Sequence, residues 1–219
     1  MAKWLIPALA LGGGIVAILT TSAARAESSA WIPEEKGKGK AKNMGKSLKA
    51  AAGKFSAEVV ASATKWAKIR VIPLAEVLAT ILLESRGNPK AHALTAKEDS
   101  RGAMQVNIRA WHPVIVELGY TDDDLYRLDV GIEVGTYILK SYRDKVLALV
   151  KKSPVAQVHD LATLTRLYYA GPKYVDNMLR KAKTKEETAH PFKNAEVYID
   201  HWRDAMLAVA EVYGAAAYA

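Results

Sequence analysis

The hydrophobic pattern of residues 73–89, PLAEVLATILLESRGNP, is that of a helix with one buried face. Apolar residues recur there at three- and four-residue steps, which places them on a single helical face: Leu74, Val77, Leu78 and Ile81. Glu84 continues this stripe, where a charge is costly unless it has a use. Pro73 suits the first turn of a helix, and Gly87-Asn88-Pro89 suits its end. The pattern therefore predicts a core helix that carries a carboxylate near its C-terminus.

Helical spacing continues through most of the chain after residue 46. No run shows sustained two-residue alternation, and the polar residues 90–102 are expected to form a loop. Thr121, followed by three aspartates, is predicted to cap the start of a further helix. We therefore predict an all-α fold, with helices in residues 47–69, in 107–119 around Pro113, and around 129–151, 155–169, 173–184 and 194–213.

The N-terminal residues 4–24 form an uncharged run of 21 residues. A membrane-spanning helix needs about 20 apolar residues, whereas a secretory signal has a shorter apolar core and a cleavage site such as Ala24-Arg25-Ala26. Both interpretations fit residues 1–26. Only Lys3 and the amino terminus precede the run, whereas Arg25 and four lysines between residues 36 and 42 follow it. This distribution disagrees with the preference of basic flanks for the cytoplasm, because ordinary export would move the basic stretch outward. That conflict leaves room for delivery to the membrane by another route, such as a virus particle.

Residues 27–55 are predicted to be a Lys/Gly-rich linker, flexible at least to about Gly45. This segment is a solvated tether or, alternatively, a basic segment that binds anionic lipid or DNA. The whole chain has 31 Lys and Arg against 23 Asp and Glu, a net charge of +8, which favours anionic partners without choosing among them. The remaining residues, 56–219, are expected to form the helical domain.

Most common catalytic signatures are absent from the sequence. There is no cysteine, the five histidines are scattered, and neither an H-E-x-x-H nor a G-x-S-x-G motif occurs. We therefore predict no metal site and no cofactor. Glu84 remains as the best candidate, because partial burial and the negative end of the helix dipole favour the protonated form of a carboxyl group, as an acid-base residue near neutral pH requires. The alternative is a boundary glutamate that bends out to solvent.

Three motifs then appear in order: E-S-x-x-N-P at residues 84–89, G-A-M-Q at 102–105 and Y-Y-A-G-P at 168–172. They resemble the E-S-x-x-N-P, G-L-M-Q and A-Y-N-A-G-P motifs of the lytic transglycosylases with a soluble-lytic-transglycosylase type catalytic domain, which are related to goose-type lysozyme. The resemblance covers about residues 66–180 and implies a lysozyme-like helical domain. Ala103, Gly131 and Tyr169 depart from the family pattern, which has leucine, asparagine and asparagine there.

The resemblance implies an enzyme that cleaves the β-1,4 bond between N-acetylmuramic acid (MurNAc) and N-acetylglucosamine (GlcNAc) in peptidoglycan. Glu84 would act as acid and then as base, closing a 1,6-anhydro ring on MurNAc. Four residues would line the sugar cleft by the same likeness: Ser85, Met104, Gln105 and Tyr168. Tyr169 would stack on a sugar or mark a protein that binds the wall without cutting it efficiently.

Three alternatives stay open from the sequence. A hydrolytic muramidase would need a second carboxylate, for which Glu98 and Asp99 are the candidates. A wall-binding protein of the same fold, or a structural or ejection component of a phage particle, would show little catalysis. The expected location is the bacterial cell envelope, with the protein membrane-anchored or periplasmic, or a virion that delivers it there.

Overall fold

Helices make up most of the computed structural model, which describes residues 41–96, 98–150, 161–170, 195–214 and 217. The described helices, in chain order, are α1 (Ala41–Ala52), α2 (Ala57–Arg70), α3 (Leu74–Glu84), α4 (Ile108–Glu117), α5 (Leu128–Val150), α6 (Leu161–Ala170) and α7 (Ala195–Tyr213). The all-α prediction is confirmed. The helix predicted around 173–184 and the start of the one predicted around 155–169 lie outside the described residues.

Helix α3 forms the centre of the core. It begins after Pro73 and ends at Glu84, close to the predicted limits. Every residue from Ala75 to Leu82 is buried, so the helix is covered on all sides rather than on the single face that its spacing predicts. Its one buried charge, Glu76, accepts a hydrogen bond from Arg143 of α5 at 2.6 Å. This buried pair ties the central helix to the longest one.

A small antiparallel sheet follows α3, where the sequence predicted a loop. Strand β1 (His92–Leu94) pairs with β2 (Asp99–Arg101), and β2 pairs with β3 (Val106–Asn107). The hairpin turn closes through the Thr95 N–H, which donates to the Glu98 carbonyl at 2.8 Å. Strand β2 is entirely polar, and the two outer residues of β1, His92 and Leu94, are exposed. The alternating signal is too short to detect in the sequence.

Capping at Thr121 is confirmed, although the helix that it starts is a short 3-10 helix, Asp122–Tyr126. The Asp124 carboxylate accepts hydrogen bonds from the backbone N–H and the hydroxyl of Thr121, at 2.9 and 2.8 Å. The backbone hydrogen bond from Thr121 is the largest cause that lowers the pKa of Asp124. The acidic run therefore serves helix initiation, as its position predicts.

Helix α5 lies very close to the turn that precedes β3. A Cβ atom at Gly135 would lie 2.5 Å from the Met104 sulfur, and one at Gly131 would lie 2.6 Å from the Leu125 carbonyl oxygen. No side chain fits at either position. At Gly131, where the family pattern has asparagine, the close approach of the backbone gives a direct reason for the departure.

Helices α1 and α7 pack together at the side of α3. Tyr213 of α7 donates a hydrogen bond to the Ala52 carbonyl at 2.8 Å, and Lys49 pairs with Glu211 at 2.8 Å. Leu48 and Ala52 are buried. The predicted linker 27–55 thus contains a packed helix from residue 41 onward, because apolar residues at helical spacing find a partner in α7.

The predicted membrane segment, residues 1–26, lies outside the described residues. In the part of the chain that the structure describes, none of the helices has the length and apolar character needed to cross a bilayer.

Candidate active site

Glu84 is the last residue of α3, at the point where the core helix reaches the surface. Its side chain retains 22% exposure, whereas Ile81 and Leu82 just before it are buried. The carboxylate oxygen Oε1 lies 2.7 Å from Nη2 of Arg166 on α6. Among the described residues, Oε2 makes no hydrogen bond. One oxygen is thus bound to a cation, while the side chain as a whole is partly exposed to solvent.

Arg166 was missed by the sequence analysis. It is buried among aromatic rings, with Cζ 5.4 Å from the ring centre of Tyr169 and 5.9 Å from that of Trp202. A guanidinium group over aromatic faces is a stabilising arrangement. The available signal was an arginine as the one charged residue in the sequence LATLTRLYYA of α6. That segment alone does not indicate which carboxylate Arg166 contacts.

Ser85 caps the C-terminus of α3 and links it to the next turn. Its hydroxyl donates to the Ala103 carbonyl at 2.6 Å and accepts from the Gly87 N–H at 3.2 Å. These bonds hold the end of α3 against the turn 102–105. The structure therefore shows a bracing role for Ser85, and its contact with sugar stays a prediction.

Gln105 lies in the same turn with a positive φ of 49°. Its side-chain amide donates to the carbonyls of Ala91 and Gly102, both at 3.0 Å. Within the described residues its carbonyl oxygen Oε1 makes no hydrogen bond. An oriented amide with an open acceptor suits an N–H or O–H group of a sugar. Gln105 thus remains a candidate for binding substrate.

Met104 is not on the wall of a cleft. Its side chain is fully buried and fills the space that Gly135 leaves on α5. The sequence pattern favoured a sugar contact, but a side chain with no exposed surface cannot touch a glycan. Its backbone carbonyl instead accepts a hydrogen bond from the Tyr169 hydroxyl at 2.7 Å.

Both tyrosines of α6 were expected at the site, but only Tyr169 is partly exposed. Tyr168, predicted to lie near the glutamate, is fully buried and packs against Val146, Leu164 and Ile199. Tyr169 is half-buried, contacts Arg166 and reaches the turn at Met104. Successive residues of a helix point about 100° apart, so only one of the pair can face the site. Packing thus leaves Tyr169, the residue that stands where the family has asparagine, as the partly exposed one.

The two candidates for a second carboxylate lie in the hairpin. Both oxygens of Asp99 accept hydrogen bonds from Arg101, at 3.0 and 3.1 Å, and Asp99 also contacts His92 at 2.9 Å. The hydrogen bond from Arg101 is the main cause that lowers the pKa of Asp99. Glu98 is exposed and accepts from the Ser100 hydroxyl at 2.6 Å. Asp99 is therefore committed to holding the hairpin together.

An open cavity of about 400 Å³ lies between α2 and the start of α5 and is lined by Glu58, Ala61, Ser62, Lys65, Leu128 and Asp129. None of the predicted site residues lines it. Burial raises the pKa of Asp129, but hydrogen bonds from Lys65, Ser62 and Trp66 outweigh this and lower it. Among the described residues, no three His, Asp or Glu side chains are grouped to hold a metal ion.

Comparison with known protein families identifies the family of this chain. The family model described as the Transglycosylase SLT domain matches residues 61–191, more than half of the chain. The match includes α3 with Glu84, the turn with Gln105, and α6 with Arg166 and Tyr169. No curated protein matches the chain. The chain belongs to the transglycosylase SLT domain family, whose members are peptidoglycan lytic transglycosylases, lyases that act on the glycan of the cell wall.

Proposed function

We propose that this protein cleaves the β-1,4 bond between MurNAc and GlcNAc with Glu84 as the only acid-base residue. Glu84 gives its proton to the glycosidic oxygen as the bond from that oxygen to C1 of MurNAc breaks, and GlcNAc leaves as the alcohol. The acetamido group of MurNAc stabilises the positive centre at C1. Glu84 then takes the proton of the C6 hydroxyl while O6 bonds to C1. Glu84 is thereby protonated again, no water is consumed, and the cleaved strand ends in 1,6-anhydroMurNAc.

One observation carries the proposal: Glu84 ends a helix that is buried along Ala75–Leu82, and its own side chain is partly exposed. An acid-base residue must be held firmly and yet reach its substrate. Helix α3, covered along Ala75–Leu82, supplies the firm support. The partial exposure of the Glu84 side chain supplies the access.

The surrounding residues take separate parts in the proposal. Gln105 orients the sugar through its open carbonyl oxygen, and Tyr169 offers a half-buried ring beside the acid. Ser85 keeps the end of α3 in register with the turn and contacts sugar only through its remaining acceptor capacity. Met104 and Tyr168 support these residues from the core. Asp99 is held by Arg101, so of the two candidates for the second carboxylate of a hydrolytic muramidase only the exposed Glu98 stays available.

Digestion of purified sacculi tests the proposal directly. We expect the wild-type protein to release anhydro-muropeptides, identified by mass, and Glu84→Gln to lose at least ~100-fold in rate because the acid-base group is gone. Glu98→Gln is the matched control, since Glu98 is an exposed glutamate in the hairpin, and it should retain activity. Products with hydrated ends would identify a muramidase, and no products at all would identify a wall-binding or phage structural protein. Retained activity in Glu84→Gln would contradict the site.

We further propose that residues 1–26 direct the protein to a membrane and that the Lys-rich part of residues 27–55 contacts anionic lipid or DNA. The family acts on the cell wall, which places the activity in the cell envelope. A membrane-anchored or periplasmic enzyme and a virion component both satisfy this placement. Sequencing the mature N-terminus distinguishes a cleaved signal, which exposes Glu27, from a retained anchor.

A further inference from the structure

We infer that Arg166 is the positioning residue of Glu84: by holding Oε1, it selects Oε2 as the oxygen that exchanges the proton with the glycan. This inference rests on the proposed function, because it assigns the internal geometry of the proposed acid-base residue. The contact that supports it is the 2.7 Å ion pair between Arg166 Nη2 and Glu84 Oε1. A carboxylate at a helix end otherwise rotates freely about its side-chain bonds, and each misplaced orientation lowers the rate.

The cation itself is firmly held. Arg166 is 3% exposed and lies near the rings of Tyr169 and Trp202. Tyr169 is fixed in turn by its hydroxyl, which donates to the Met104 carbonyl. Trp202 is 1% exposed, deep between α7 and the rest of the core. A buried planar guanidinium group that contacts two aromatic rings has little freedom, so it restrains the carboxylate that it binds.

The same contact affects the chemistry of the first step. When Glu84 gives up its proton it becomes a carboxylate, and a neighbouring guanidinium group stabilises that negative charge in a partly dry site. Arg166 is buried, so it does not contact the glycan before reaction. An interaction of this kind lowers the barrier without helping the substrate to bind, and its loss reduces kcat while KM is kept.

A purely structural ion pair is the competing explanation, and helix α3 provides a matched comparison. Arg143 binds Glu76 at 2.6 Å, two turns before Glu84 on the same helix, and both of those side chains are buried. Each pair therefore joins α3 to a neighbouring helix through an arginine and a glutamate. They differ in that only Glu84 is open to solvent. Substituting each arginine in turn therefore separates an effect on the stability of the protein from an effect on the position of the Glu84 carboxylate.

The experiment compares Arg166→Met, Arg166→Lys and Arg143→Met in the full chain. Rates are measured on soluble uncrosslinked glycan strands and normalised to folded protein, and Tm is measured for each variant. We expect both methionine variants to lower Tm, and only Arg166→Met to lower kcat, by about tenfold or more, with KM unchanged. Arg166→Lys keeps the charge but loses the fixed planar fork, so its kcat should lie between those of the wild type and Arg166→Met.

Wild-type kcat in Arg166→Met, or an equal loss of kcat in Arg143→Met, would overturn the inference. If Arg166→Met does not fold, Arg166→Lys decides, and wild-type kcat in that variant would also overturn it. Glu84→Gln is measured in parallel. Activity in Glu84→Gln defeats the proposed function, whereas an inactive Glu84→Gln beside a fully active Arg166→Met defeats only the positioning role.

Discussion

At the scale of single residues, two glutamates of one helix illustrate how burial separates structure from function. Glu76 and Glu84 both pair with an arginine, at 2.6 and 2.7 Å. The Glu76 side chain is 4% exposed and that of Glu84 is 22% exposed. A fully buried pair serves packing, because no ligand can reach it. A ligand can reach the partly exposed side chain of Glu84, so of the two glutamates Glu84 is the candidate for chemistry.

Gly135→Ala should lower the free energy of unfolding by about 1–3 kcal/mol, because its new Cβ overlaps the Met104 side chain inside a filled core. The better helix propensity of alanine offsets only about 1 kcal/mol of this loss. Urea unfolding followed by circular dichroism measures the net change.

The matched control for this substitution is Gly45→Ala in α1. A Cβ at Gly45 would meet nothing within 4 Å, so the same change should stabilise the protein by about 0.5–1 kcal/mol. A gain of stability in both variants would contradict the close packing of α5 on the turn at Met104.

At the scale of elements, Asp129 joins two helices. It lies in the first turn of α5 and accepts hydrogen bonds from three residues of α2: Ser62 at 2.7 Å, Lys65 at 2.7 Å and Trp66 at 2.9 Å. An acidic residue at a helix N-terminus is also favoured by the helix dipole. This one carboxylate therefore caps α5 electrostatically and fastens it to α2.

The junction predicts a specific dependence of stability on pH. The pKa of Asp129 in the folded protein lies below its ordinary value of 3.8, so its contribution is present above that pH and is lost as the pH falls below it. In Asp129→Asn this contribution is missing. We therefore expect the difference in unfolding free energy between wild type and variant to shrink on acidification, as measured by urea titrations from pH 6 to about pH 3.

Trp66→Phe tests the cause of that dependence, because it removes one of the donors to Asp129 and keeps an aromatic ring. Its pH-dependent stabilisation should be smaller than that of the wild type. An identical pH profile in the two proteins would show that the indole N–H does not lower the pKa of Asp129.

At the scale of the whole molecule, the match to the family ends at residue 191, but the packed core continues beyond it. Helix α7, which was expected at 194–213, contributes buried Trp202, Met206 and Val209. It packs beside α1 and closes the side of α3, the helix that carries Glu84. The segment after the family match is therefore part of the support of the site.

Trp202→Ala should lower the free energy of unfolding by about 3–5 kcal/mol, since it removes a large buried ring from the contact of α7 with the core. Asp200→Ala, at an exposed position of the same helix, should change it by no more than about 0.5 kcal/mol. Chemical denaturation of both variants checks the difference. Equal, small effects would mean that α7 does not belong to the cooperative core.

Elements with strong local signals were predicted well. The limits of α3 follow from Pro73 and from the Gly87-Asn88-Pro89 end, and α5 was expected at 129–151 and lies at Leu128–Val150. The hairpin at His92–Arg101 was missed because its strands are only three residues long, too short to show alternation. Helix α1 begins earlier than expected, since its burial depends on α7, which lies far away in sequence.

The pattern of residues along the chain is enough to predict most helices, the core helix α3 and Glu84 as the candidate acid-base residue. This is because spacing along one helix depends only on near neighbours in the chain. Which side chains contact that glutamate depends instead on how the helices pack against one another. That packing pairs Glu84 with Arg166, buries Tyr168 and turns Tyr169 toward the turn at Met104. Such contacts join helices that are distant in sequence, and they follow from how α3 and α6 pack rather than from the pattern of either helix.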